Sequence, residues 1–564
     1  MISDQLHIDP IVFRVEGEGG KGGSVVGEIL ARSAARAGYA IQCSRAFPAE
    51  IKGGRAWFQL KISSHPQTWW GGEPNIAMTD AKGGEWVVTA RREGSDEVRS
   101  PVSFVNLARS INQPRNTNLV ALGFLAGTLG LDIELVSAVA EKRLSRRAEG
   151  EPHFGEALMA GYSEARKQSD WPKWNVSAPE TTGRRLVLNG NEAIALGALA
   201  AGVRFFCGYP ITPASSILET MLRELPRLGG TGVQMEDEIS ALGACLGASY
   251  AGKRAMAATS GPGFALMSEM MNLAVMAEIP ITIVDVQRSG PATGQPSQSE
   301  QADLLYALHG SPGDSPRLVL APATVEEALH MTIEAVNLAE KYQMPVVVLS
   351  DASLSNRIEA IPEPDWLALP RSERARPPRE LPTEYERYLL TPTGVSPMAL
   401  PGEDDLPHIA SGMEHKPSGS PSGTASSHTE MSQKRLNKVR DAHSILTNEP
   451  EYFTAPGTTI GIIGWGSTYG AITEAAKLLR ASGFPVATAQ VRHLNPMPVE
   501  QLAHWMAPLK RIIVAEENQT GQLAGLIRHI APDKIESLLP DEEFELTPKR
   551  VADRVRNGSY NMAV

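Results

Sequence analysis

Four short strings hold most of the residues with obvious chemical capacity. In Val233-Gln234-Met235-Glu236-Asp237-Glu238, three carboxylates open a predicted helix, ISALGACLGASYAG, made mostly of Ala, Gly and Ser. Acidic groups at a helix N-terminus complement its dipole by ~0.3–1 kcal/mol each, yet three exceed what capping needs. The small-residue helix permits close approach of another backbone and is expected in an interface. A carboxylate buried beside it would have a raised pKa and could share a proton with a ligand nitrogen.

The second string, Gly208-Tyr209-Pro210-Ile211-Thr212-Pro213, sets two prolines around a small hydroxyl at a strand-to-helix junction, the place where open parallel sheets bind ligands. Taken alone it reads first as a helix start with Thr212 as cap and Pro213 at the first turn. In the third, Asp285-Val286-Gln287-Arg288-Ser289-Gly290, an arginine follows a strand. It is either a solvated charge or a guanidinium fork for a substrate carboxylate. The fourth, Thr259-Ser260-Gly261-Pro262-Gly263, is a tight turn suited to close ligand approach. A glycine loop, Gly17-Glu18-Gly19-Gly20-Lys21-Gly22-Gly23, lies between a strand and a helix, where free N–H groups favour an anion. It lacks the Ser or Thr that a phosphate-cradling NTPase loop places after its lysine. It also lacks the acidic residue of a dinucleotide fold, because Ser44 and Arg45 end the next strand. Tight packing and a backbone site for another anion, such as a coenzyme A phosphate at Gly19, Lys21 and Gly22, remain open.

These strings need elements to position them. At ~150 residues per domain, 564 residues argue for three or four domains. Residues 185–351 alternate strand-like runs (TGVQM, RAMAATS, ITIVDVQ, PVVVLSD) with helical ones, the pattern of a mostly parallel sheet with helices on both faces. A βα opening from Pro10 and a smaller α/β block from Thr458 flank it. Between the last two, residues 362–425 hold 12 prolines in 64 positions, against 41 in 564 overall, the composition of a flexible linker. Runs such as YLLTPTGVSPMALPG carry enough apolar and turn chemistry to pack as an ordered flap instead. The expected boundaries are 1–178, 179–361, 362–455 and 456–564.

A net charge of -11 opposes a broad footprint for nucleic acid or anionic lipid. No stretch approaches the ~20 apolar residues of a membrane span, and the N-terminus shows no secretory pattern, so a cytoplasmic protein without nucleic-acid or membrane partners is expected. Three isolated cysteines, Cys43, Cys207 and Cys245, are too few for a four-cysteine zinc or iron–sulfur site.

GYPITP, MEDEISALG, TSGPG and QRSGPATGQ, in this order and spacing, together resemble the α subunit of the 2-oxoacid:ferredoxin oxidoreductases, which use thiamine diphosphate. The resemblance spans nearly the whole chain and is closest to members acting on 2-oxoglutarate. It implies a multidomain α/β protein: a γ-type α/β domain, with EIKGGRAWFQLKIS as its glycine-rich strand, is fused ahead of a parallel-sheet, pyrimidine-type thiamine diphosphate-binding domain and a transketolase C-terminal-like domain. It implies that Glu238 contacts the aminopyrimidine, so that the imino tautomer can take the proton from the thiazolium C2, with Tyr209, Pro210, Ile211, Thr212 and Gly261 around the cofactor. Thr212 would contact the 2-oxoacid and Arg288 its carboxylate. Arg45, Lys52 and Arg55 are candidates for a second carboxylate.

The chain contains no G-D-G sequence for Mg²⁺ and the diphosphate, so it supplies half of the cofactor site. A β subunit is expected to bring Mg²⁺, the diphosphate site and a [4Fe–4S] cluster, probably as (αβ)2, with coenzyme A as co-substrate and ferredoxin as electron acceptor. Alternatives are the same chemistry on pyruvate or branched-chain 2-oxoacids, a non-redox thiamine-dependent decarboxylase or carboligase, and a non-catalytic nucleotide- or CoA-binding protein.

Overall fold

The computed structural model describes residues 6–558 apart from 20, 47–54, 82–84, 92–95, 145–153, 176, 178, 180–182, 379–383, 404–405, 447–450, 456 and 541–544. The chain forms two compact units, one of residues 1–189 and 356–363, the other of 190–355 and 364–564.

The first unit is built on an eight-stranded mixed sheet. Strand Ile11–Glu18 alternates inward Ile11, Phe13 and Val15 with more exposed partners, the period of a half-covered strand. The helices Gly23–Arg36, Thr117–Thr128 and Phe154–Lys167 bury Ile29, Leu30, Phe124 and Leu158 in the core of this unit. Two strands from outside the expected first domain complete the sheet: Ile358–Pro362 pairs antiparallel with Ala40–Ala46 on one side and with Arg185–Asn189 on the other. Residues 185–189 and 358–361, expected in the central domain, thus belong to the N-terminal sheet. Their backbone hydrogen bonds are made there.

The second unit contains a seven-stranded sheet whose neighbours run Thr231–Gln234, Phe205–Gly208, Ala255–Thr259, Ile281–Gln287, Pro345–Asp351, Leu318–Leu320 and His493–Asn495. The first six are mutually parallel, and His493–Asn495 joins antiparallel from the C-terminal part of the chain. Strands Ile281–Gln287 and Pro345–Asp351 are buried at every position, as a parallel sheet covered on both faces requires. A five-stranded sheet centred on Ile460–Trp465 forms the C-terminal part of this unit.

The proline-rich stretch is not a flexible linker over its described residues. Arg374 makes a two-point ion pair with Glu340 at 2.7 and 2.8 Å, both groups buried. Tyr388, Met398 and Ala399 are fully buried. Helix Ala425–Ile445, capped by Thr424, turns Met431, Lys434, Lys438 and Ala442 inward. Composition suggested a linker because prolines and polar residues dominate it; the burial is carried instead by a few arginines, lysines and aromatic residues. The described residues contain no helix long and apolar enough to cross a membrane.

Candidate active site

The four strings meet at one end of the parallel sheet. Register fixes this: Gly208 lies beside Gln234 and Ala258, Thr259 beside Asp285, and Gln287 beside Asp351. Tyr209, Met235, Ser260 and Arg288, each following one of these strands, therefore leave from the same edge, where a doubly wound sheet opens a crevice for ligands.

The three carboxylates of Glu236-Asp237-Glu238 separate into three environments. Glu236 is exposed. Asp237 caps helix Glu238–Tyr250, accepting the Ser240 N–H at 2.7 Å. Glu238, the first helical residue, is buried, 5% exposed. Its carboxylate fits only because residue 263 is glycine: a Cβ there would collide with the Glu238 Oε1 and the Thr259 hydroxyl. The helix that Glu238 opens presents Ile239 and Gly247 to the outside.

Arg288 is not a solvated charge. It is 8% exposed, and its Nη1 donates to the Thr212 carbonyl at 2.7 Å. Among the described residues its Nε finds no acceptor. Burial lowers the guanidinium's pKa, while the negative charges of Asp303 and Glu238 oppose that fall. Thr212 is not a helix cap either, because the helix starts at Ser215 after Ala214. The threonine stays exposed beside Tyr209 and Pro210, with Ile211 half-buried.

The structure adds residues that the strings did not single out. Asn191, almost fully buried, donates to the Pro213 carbonyl at 2.8 Å and to Ser216 Oγ at 2.9 Å, which ties down the Thr212 turn. An asparagine at a helix start has no local signature that separates this role from ordinary capping chemistry. Asp303 packs against Gly261, where a Cβ would lie 2.7 Å from its Oδ2.

The remaining candidates belong to the first unit. Arg45 sits on strand Ala40–Ala46 of the first unit, half-buried, and Arg55 begins strand Arg55–Ser63, its side chain outside the described residues. Lys52 is also outside them. In the glycine loop, Lys21 is held by Glu18 at 2.8 Å and Asp80 at 3.2 Å. A Cβ at Gly17 or Gly23 would press on the Trp86 ring at 2.9 Å. This is the geometry of tight packing, with two carboxylates beside the one lysine of the turn.

Comparison with known proteins gives the family. The family model for the pyruvate flavodoxin/ferredoxin oxidoreductase, thiamine diphosphate-binding region matches residues 196–434, and that for pyruvate ferredoxin/flavodoxin oxidoreductase matches residues 12–83. Together they define an oxidoreductase with a thiamine diphosphate-binding block. The chain is 32% identical to the 2-oxoglutarate oxidoreductase subunit KorA of Mycobacterium tuberculosis, over 93% of this chain and 88% of that protein. It is 36% identical to the 2-oxoglutarate synthase subunit KorA of Methanocaldococcus jannaschii, over 63% of this chain and 94% of that one. The solved 2-oxoglutarate:ferredoxin oxidoreductase from Magnetococcus marinus, with 2-oxoglutarate, coenzyme A and succinyl-CoA bound, superposes with a TM-score of 0.88 at 35% identity, covering 98% of this chain and all of that one. The chain belongs to the 2-oxoacid:ferredoxin oxidoreductases, as a KorA-like subunit of the 2-oxoglutarate:ferredoxin oxidoreductase type.

Proposed function

We propose that this chain is the α subunit of an enzyme that converts 2-oxoglutarate, coenzyme A and two oxidised ferredoxins to succinyl-CoA, CO2, two reduced ferredoxins and a proton, in either direction. The observation that carries this reading is Arg288, a buried guanidinium fastened to the Thr212 carbonyl beside the buried carboxylate of Glu238. The residues present fit thiamine diphosphate: Gly263 leaves room that any side chain would fill, and the Glu238 carboxylate occupies that room. Bound there, the cofactor supplies a carbon centre that adds to the 2-oxoacid's carbonyl and stabilises the charge left by CO2 loss.

The chain's own groups then have distinct tasks. Glu238 exchanges a proton with N1′ of the aminopyrimidine. Tyr209, Pro210, Ile211 and Gly261 line the pyrimidine side. Thr212 binds the ketoacid, and Arg288 takes its 1-carboxylate through charge-assisted hydrogen bonds. Arg45, Lys52 and Arg55 are the first candidates for the distal carboxylate. The Gly19, Lys21 and Gly22 turn is the candidate for a coenzyme A phosphate, which would compete with Glu18 and Asp80 for the lysine.

Mg²⁺, the diphosphate site and the [4Fe–4S] cluster are assigned to a β subunit in an (αβ)2 assembly, because this sequence has three cysteines and no G-D-G. The proposed docking face for that subunit is the stripe of Ile239, Gly243 and Gly247, where Gly247 meets no neighbour within 4 Å. A substrate panel on the co-expressed αβ enzyme, read by viologen reduction, tests the reading. Coenzyme A-dependent turnover greatest with 2-oxoglutarate is expected. Faster turnover of pyruvate or branched-chain 2-oxoacids overturns the substrate, and turnover without a redox acceptor overturns the reaction class.

A further inference from the structure

Behind Arg288 lies a pair of acids with no assigned role. Asp285, on strand Ile281–Gln287, is wholly buried, and neither of its carboxyl oxygens meets a donor. Asp303 precedes helix Leu304–His309 but does not cap it. Its N–H is spent on the Gln287 Oε1 at 3.0 Å, which ties it to the residue before Arg288. Its Oδ2, against Gly261, is also out of solvent without a donor. Among the described residues the Asp285 carboxyl meets that of Asp303, and a hydrogen bond between the two needs a proton on one of them.

Two carboxylates in contact in a dry site cannot both ionise. We propose that Asp285 and Asp303 hold one proton between them and take up a second from solvent when a 2-oxoacid carboxylate settles on Arg288. This rests on the reading of Arg288 as the carboxylate's anchor. The charged groups facing the pair are Arg288 and Glu300, both beside Asp303, with Glu238 across the guanidinium.

The electrostatics run in that direction. Burial and contact with Asp303 push Asp285 far up, so it keeps the shared proton. Asp303 is raised by burial and by Glu300 to about 6, while Arg288 pulls it down. At neutral pH Asp303 is therefore the anion that faces the guanidinium. A substrate carboxylate adds a second anion and shares the same cation, which raises Asp303 further and draws in a proton. Binding then tightens as pH falls from neutrality towards 6, because the liganded enzyme binds more protons than the free one.

Titration of the αβ holoenzyme with N-oxalylglycine, a 2-oxoglutarate analogue that does not lose CO2, in buffers of different ionisation enthalpy reads the proton count directly. Uptake approaching one proton per site near pH 7 is expected, and Asp303→Asn abolishes it and flattens the pH profile of KM for 2-oxoglutarate. No uptake in the wild-type enzyme, or the same uptake in Asp303→Asn, overturns the proposal. Should Asp303→Asn not fold, Asp303→Ser gives the second arm: it too removes the titrating carboxyl, so uptake must vanish, and persistent uptake again overturns it. Unaltered analogue affinity in Arg288→Ala defeats the anchor reading, whereas lost affinity there with persistent uptake in Asp303→Asn defeats the acid pair alone.

Discussion

Two buried charge clusters in the second unit have similar membership and opposite character. Around Glu278, the carboxylate is closed: Lys434 Nζ lies 2.7 and 2.6 Å from its two oxygens, Lys438 Nζ lies 2.7 Å away, and Arg387 donates to the residue's carbonyl at 2.7 Å. Around Arg288, by contrast, the Nε of the arginine, both oxygens of Asp285 and one of Asp303 lack partners. The first cluster fastens helix Ala425–Ile445 to the sheet's helical layer and leaves its carboxylate no free oxygen, the unused capacity being two nitrogens of Arg387. The second retains unsatisfied groups next to the exposed Thr212 turn, and buried groups held unsatisfied cost free energy unless a ligand or a proton completes them. The two differ at the anion: Glu278 is closed by two lysines, whereas both oxygens of Asp285 are left without a cation.

That contrast is broken most severely at Glu238. Glu238→Gln keeps the shape but cannot exchange a proton, so kcat of the αβ enzyme should fall by ~10²–10⁴ while thermal unfolding is little changed. Thiamine C2 proton–deuterium exchange checks the step; wild-type exchange in the variant would move the role to Glu236 or Asp237. Glu278→Gln should do the reverse, leaving two buried lysines without their counter-charge at a cost of ~3–5 kcal/mol, seen as an early unfolding transition with little change in KM of the enzyme that remains folded.

A smaller effect is expected at Arg288. Loss of a charge-assisted pair costs ~1.5–3 kcal/mol, so Arg288→Ala should lower kcat/KM roughly 10- to 150-fold for every 2-oxoacid. A penalty confined to 2-oxoglutarate would assign the arginine to the distal carboxylate instead. The smallest concerns pH. Burial first, and then the neighbouring cations, lower Lys438 to about 7, so from there up to its ordinary value the unfolded chain holds a proton that the folded chain has released. Stability contributed by this group rises with pH across that window. In Lys438→Met the rise in unfolding midpoint between pH 7 and 9 should flatten; an unchanged slope would show that Lys438 stays charged in the fold.

The sequence made one cluster legible and hid the other. Thr212, Glu238, Gly261 and Arg288 lie in strings with turn chemistry at strand ends, so local pattern was enough to gather them. Glu278 and Lys434 are 156 positions apart, and neither has a local signature beyond an acidic residue in a turn and a lysine in a polar helix. Asp303 carried a misleading signal, since an aspartate before a helix reads as a cap and here its carboxyl caps nothing. Charge alone did not separate Arg288 from a surface arginine, because burial is set by the packing of strands far away in the chain.

The antiparallel pairing of Arg185–Asn189 with Ile358–Pro362 has a consequence for how the protein is made. Residues 190–355 leave the N-terminal sheet and return to the adjacent strand, so the whole excursion is topologically the loop of a hairpin. During synthesis strand Ala40–Ala46 waits for Ile358, more than 300 residues later, before one of its two edges is covered. Until then the nascent N-terminal unit exposes a pairing edge of the kind that invites association with other chains. The strand that closes this edge is therefore synthesised only after the whole of residues 190–355 has been made.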